Sequence, residues 1–153
     1  RYFLNFEKTN IITCDDDGQH YINDIMNIIN YKLKPNDALV IGQRNFEKNV
    51  PLKSYLGNKI ISFLANLLFK LNINDTQSGL RKYNTLYLIK LLKIKQNGFD
   101  FNILALLNSI KLFKNIKTIP MKTIYLENNK LTNFKVIKDS IKVFKALILF
   151  KIS

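Results

Sequence analysis

The sequence predicts an α/β fold, and three observations carry that expectation. Two short apolar runs, residues 10–14 (NIITC) and 37–42 (DALVIG), have the length and composition of buried strands. Longer stretches with apolar residues at helical spacing lie between and after them. Three consecutive acids, Asp15, Asp16 and Asp17, follow the first run directly. In open α/β sheets ligands bind beyond the carboxyl ends of strands, which is where these acids fall.

The elements follow in order. After the strand at 10–14, Ile22, Ile25, Met26, Ile28 and Ile29 mark an amphipathic helix. A second buried strand ends at Gly42. Residues 55–71 read as a long apolar helix with few charges, and 76–84 (TQSGLRKYN) as a polar loop. Two further helices are expected over 84–94 and 101–113. Residues 116–126 alternate in the manner of a strand, with Pro120 restricting it to an edge or a bulge. Residues 133–150 form a basic amphipathic helix, on which Lys135, Lys138, Lys142 and Lys145 fall near one face.

A chain of 153 residues, 47% hydrophobic, fits one domain with a sizeable core. One cysteine excludes a disulfide framework and a multi-cysteine zinc site. The net charge of +13 favours an anionic partner, either lipid or phosphorylated ligands. Nucleic acid is not expected, because neither a recognition helix nor an RNA-binding aromatic signature is present. No apolar run reaches transmembrane length. The chain opens on Arg1 and stops within an apolar run, so it is expected to be a piece of a longer protein.

Three adjacent carboxylates in so basic a chain repel one another unless a cation sits among them. Asp15 and Asp17, two apart in a loop leaving a strand, can point to one side, toward Mg²⁺ or Mn²⁺. Asp16 then points away, toward a sugar hydroxyl or a backbone N–H. Gln19 supplies a neutral oxygen, and Gly18 permits a tight turn. The same residues also suit a plain surface turn, and His20 on its own reads as a surface or capping residue.

The stretch IITCDDDGQHYINDI resembles the metal-binding segment of family 2 glycosyltransferases. Within them it is most similar to the polyprenyl-phosphate branch typified by dolichyl-phosphate mannose synthase. ALVIGQR, NDTQSGLRKYN, GFDFNILALL and the closing TIPMKTIYLENNKLTNFKVIKDSIKVF resemble further segments of that branch in the same order, as does the helix in VPLKSYLGNKIISFLANLL. The resemblance implies part of a GT-A fold, Rossmann-like, with a mixed sheet flanked by helices. It implies sugar transfer from a UDP- or GDP-linked donor to a polyprenyl phosphate, with inversion. Asp15, Asp17 and Gln19 become the ligands of Mg²⁺ or Mn²⁺. Arg44, Arg81 and Asp16 become groups of the donor-diphosphate and acceptor-phosphate sites, and Asp75 the catalytic residue that places the acceptor or acts as base. Gln43, Asn102 and Asn133 depart from the residues usual in the branch.

The same resemblance divides the chain into residues 1–134, the C-terminal portion of the transferase domain, and 135–153, a basic helix leading toward a membrane segment. The nucleobase-gripping half is expected to be missing, leaving a chain inactive on its own. The expected location is the cytoplasmic face of a bacterial membrane, on an anionic surface. Competing readings are a family 2 transferase with a saccharide hydroxyl acceptor and a non-catalytic basic membrane-binding module.

Overall fold

A computed structural model describes residues 10–45, 52–113, 115–122, 124 and 136–152. Asn133 and Lys135, singled out above, lie outside the described residues. The order of elements is β1 (Ile11–Thr13), α1 (Ile22–Asn30), β2 (Asp37–Arg44), α2 (Leu52–Phe69), β3 (Arg81–Tyr83), α3 (Thr85–Leu91), α4 (Phe99–Phe113), β4 (Asn115–Met121) and α5 (Val136–Ile152). This is the mixed α/β architecture expected from the sequence: four strands with helices against them.

The strands lie in the order β1-β3-β2-β4. β3 runs antiparallel to both of its neighbours, and β2 and β4 are parallel. β1, β2 and β4 therefore share one direction. Their carboxyl ends meet the amino end of β3 at one edge of the sheet. The register fixes this: Arg81 pairs with Thr13 on one side and with Ile41 on the other. Asp15, the segment 75–80 and Arg44 all emerge beyond that line.

Burial explains the strand pattern. β2 is covered on both faces, so it reads as a continuous apolar run rather than an alternating one. Leu39 and Ile41 join Ile61 and Ala65 of α2, Ile103, Leu106 and Leu107 of α4, and Val143 and Leu147 of α5 in one core. Val40 points the other way, into a smaller cluster with Ile28 of α1, Leu80 and Met121. The inner face of α5 thus belongs to the main core. β4 is an edge strand, which accommodates Pro120, since an edge position loses no ladder bond to the missing N–H.

One expectation fails. Residues 76–84 are not all loop, because 81–83 form β3 in the middle of the sheet. A strand beginning Arg-Lys is buried only because each cation finds carbonyls. Lys82 Nζ donates to Ile29 O at 2.6 Å and to Tyr31 O at 2.8 Å, closing the C-terminus of α1. Its burial pulls the ammonium pKa down.

Candidate active site at the strand ends

Three segments meet at the carboxyl edge: the acids after β1, the end of β2, and the loop before β3. Thr13 Oγ1 donates to Gly79 O at 2.8 Å, tying the first to the third. Gly42 N donates to Leu80 O at 2.9 Å, tying the second to the third. The end of β4 joins them, since Ile124 N donates to Gln19 O at 3.1 Å and Lys122 N to Asp24 Oδ2 at 2.9 Å.

Asp15 lies directly against Gly79. A Cβ placed on Gly79 would stand 2.0 Å from Asp15 Oδ1, so the close approach requires glycine. The two most distinctive stretches of the sequence, CDDDGQH and DTQSG, therefore interlock. The Asp15 side chain remains half exposed, at 52%. Its other oxygen, Oδ2, faces His20 Nε2 at 3.6 Å. The imidazole holds the Asp15 carboxyl below its ordinary pKa, with help from the charges of Arg44 and Arg81 and against partial burial.

Gly18 adopts a φ of 73°, which lets the chain fold back after the acids. Asp17 Oδ1 accepts from Gln19 N at 3.1 Å and closes that turn. Gln19 is nearly buried, and Asp16 is exposed. Among the described residues no group of three or more His, Cys, Asp or Glu side chains forms a ready-made metal cage. The donor set fits a hard cation held another way. Mg²⁺ is commonly held by one or two carboxylates and completed by substrate phosphates. The half-open Asp15, beside an Asp17 that commits one oxygen to the turn, suits that arrangement.

Asp75 is the most heavily tied group of the site. It is fully buried and accepts from Arg44 Nε at 2.6 Å, Arg44 Nη2 at 3.0 Å, Asn58 Nδ2 at 2.8 Å, Gln77 N at 3.2 Å and Arg44 N at 3.3 Å. Burial alone would raise its pKa, but the Arg44 charge and the hydrogen bonds from Arg44 and Asn58 outweigh it and hold the carboxyl low. A carboxylate so stabilised, with no exposure, is a poor proton acceptor. Asp75, expected to place the acceptor or act as base, has here the geometry of a clamp on Arg44.

Arg81, expected at an acceptor phosphate, is fully buried and donates to Ser78 O at 2.7 Å, Asn102 O at 2.7 Å and Thr76 O at 2.8 Å. It braces the 75–80 loop from within and joins that loop to α4. Arg44, by contrast, keeps 23% of its side chain exposed.

Sequence reasoning missed Asn58, His20 and the contact role of Gly79. A faint signal existed for Asn58, a polar residue within an otherwise apolar helix. His20 gave none, since its burial arises only from the tertiary fold. Partial burial and the charges of Asp15 and Asp17 raise the Cys14 thiol pKa, which disfavours the thiolate.

No protein-family model matches the chain. It is 32% identical over 149 residues to an uncharacterized protein of Methanocaldococcus jannaschii, an alignment covering 88% of this chain and 60% of that one. It is also 32% identical over 145 residues to the UDP-N-acetylglucosamine–dolichyl-phosphate N-acetylglucosaminyltransferase of Methanococcus voltae, covering 92% of this chain and 57% of that one. The chain thus spans rather more than half the length of each of these relatives. The second shows a relationship to a glycosyltransferase, and the mixed sheet agrees with part of a Rossmann-like transferase fold. It gives no support to the mannose synthase subdivision, since the sugar in its name is N-acetylglucosamine. Both relatives are archaeal, so the expectation of a bacterial source is likewise unsupported.

Proposed function

We propose that this chain is the acceptor-side portion of an inverting, metal-dependent glycosyltransferase that moves a sugar from a nucleoside-diphosphate donor to a polyprenyl phosphate. The observation that carries the reading is the convergence of Asp15, Gly79, Arg44 and Asp75 at one sheet edge. The relative named as a dolichyl-phosphate N-acetylglucosaminyltransferase supports it and makes UDP-N-acetylglucosamine the first donor to test.

The geometry supports the following roles. Asp15 and Asp17, with Gln19 as a neutral oxygen, are the groups that would hold Mg²⁺ or Mn²⁺. When bound, such an ion offsets the charge of the leaving diphosphate. Arg44 is the phosphate-binding cation, with a planar guanidinium suited to two-point contact. Asp75 fixes its direction, and Asn58 and Gln77 fix Asp75. A phosphate acceptor arrives ionised and needs little help from a base. That suits a site whose buried carboxylate is already committed, and it fits a sugar hydroxyl less well. Asp16, exposed beside the pair, is left to contact the donor's hydroxyls.

The acceptor is a lipid, and the outer surface fits a membrane. Leu56, Ile60, Phe63 and Leu67 form an exposed apolar stripe on α2, and Ile137, Ile141, Phe144, Ile148 and Ile152 form another on α5. Lys138, Lys142 and Lys145 are exposed beside the second. Apolar residues flanked by lysines suit the headgroup boundary of an anionic bilayer. Among the described residues no helix is long and apolar enough to cross a membrane.

The test, made on the longer protein of which this chain is proposed to be a portion, is transfer of labelled sugar from UDP-N-acetylglucosamine, with GDP-mannose for comparison, into a lipid-extractable product on vesicles containing polyprenyl phosphate. Metal-dependent product that is lost in Asp15→Asn and Arg44→Ala supports the reading. Product formed equally well with a chelator present would overturn its metal step.

A further inference from the structure

We propose that His20 is a positioning residue for Asp15, donating its Nε2–H to Oδ2 and so aiming the carboxylate at the open side of the site. The inference rests on the cation–diphosphate reading above and deepens it.

The imidazole is buried, with only 7% of its side chain exposed. Neither Nδ1 nor Nε2 has a hydrogen-bond partner among the described residues. A buried polar ring without partners is rare in a folded protein and calls for a reason. The polar group it faces is Asp15, with Nε2 3.6 Å from Oδ2, about half an ångström beyond a hydrogen bond. A small movement of either side chain closes that gap.

Gly79 bounds the same carboxylate: a Cβ there would stand 2.0 Å from Oδ1 and 2.4 Å from Oδ2. The carboxylate therefore packs on a glycine with a ring beside Oδ2, and it keeps about half of its surface exposed. The turn that brings the ring there is built into the motif. Gly18 reverses the chain at φ 73°, and the Gln19 N–H bonded to Asp17 Oδ1 holds the reversal. His20 cannot reach Asp15 without that turn. The direction of the Asp15 pKa agrees, since the imidazole is the main influence lowering it.

The role needs no proton transfer. A neutral ring in the Nε2–H form suffices, with Nδ1 left as the lone-pair nitrogen. A ligand already aimed loses less freedom on binding, and the partners that orient metal ligands commonly set affinity by 10–100-fold.

His20 is the chain's single histidine, so ¹⁵N-histidine labelling reports it alone. The metal-free chain should show the neutral ring as the Nε2–H tautomer, and an Nδ1–H tautomer would overturn the proposal. Mn²⁺ affinity in the presence of UDP is the second reading. His20→Ala should weaken it by about tenfold or more, while His20→Gln, whose amide N–H can approximate Nε2–H, should restore most of it. Unchanged affinity in His20→Ala, or a Gln variant no better than Ala, contradicts the role. If the unsubstituted chain binds no Mn²⁺ and Asp15→Asn behaves alike, the cation reading fails instead. The tautomer then decides the His20 contact by itself.

Discussion

Arg44 and Asp75 meet in a two-point ion pair, Nε to Oδ2 at 2.6 Å and Nη2 to Oδ1 at 3.0 Å, with the carboxylate fully buried. The pair links the end of β2 to the loop before β3, so it serves the fold and the site together. Removing Asp75 takes both carboxylate contacts from the Arg44 guanidinium and the acceptor from the Asn58 amide. Asp75→Ala is expected to destabilise the chain by about 3 kcal/mol, near the lower end for breaking a buried pair. Urea unfolding measures it, and a loss within about 0.5 kcal/mol, typical of a surface substitution, would show that the pair carries no structural weight.

Acid should release the same clamp. The folded-state pKa values of Asp75 and Asp15 lie below their unfolded values. The stability each contributes is therefore present above the unfolded carboxylate range and is lost as pH falls through the folded values. Melting temperature should hold steady from neutral pH down to about pH 5 and fall below about pH 4. Asp75→Asn should flatten much of that acid limb. An unchanged slope in the variant would place the linked protons elsewhere.

Gly79→Ala tests the interlock of the two motifs. The new methyl needs the space of the Asp15 carboxylate. The backbone there is not in the left-handed region, so the fold should survive with a cost of about 1 kcal/mol. Mn²⁺-dependent UDP binding should nevertheless drop by tenfold or more, in line with other losses around metal ligands. Calorimetric titration checks it, and full retention of binding would mean that Asp15 is not a ligand in this position.

Membrane attachment should be electrostatic in part. Each lysine near an anionic surface contributes about 1 kcal/mol, so replacing Lys138, Lys142 and Lys145 by Gln together should weaken vesicle binding by roughly a hundredfold. Co-sedimentation with anionic and neutral vesicles, at low and high salt, measures this. Equal binding to both vesicle types would remove the charge contribution.

Much of this architecture was legible in the sequence. The strand runs, the long helices and the edge position of Pro120 follow from apolar pattern and from the missing proline N–H. β3 was not legible, because a strand of Arg81, Lys82 and Tyr83 shows no apolar alternation. Its burial depends on carbonyls supplied by α1, α4 and the preceding loop. The acids and Arg44 stood out by position at strand ends. The inward role of Arg81 did not, since a charged residue in a polar loop reads as solvated until the loop is seen to wrap around it. The burial of Asp75 was not legible either, because the partners that bury it come from 31 and 17 residues away in the chain.

The most direct measurement is a thermal-shift titration of the chain with Mn²⁺, UDP, GDP and their sugar conjugates, alone and combined, with Asp17→Asn as the control. Stabilisation should need metal and nucleotide together and disappear in the variant. Cooperative melting with no shift under any combination, or an equal shift in Asp17→Asn, would contradict a cation–diphosphate site at these strand ends.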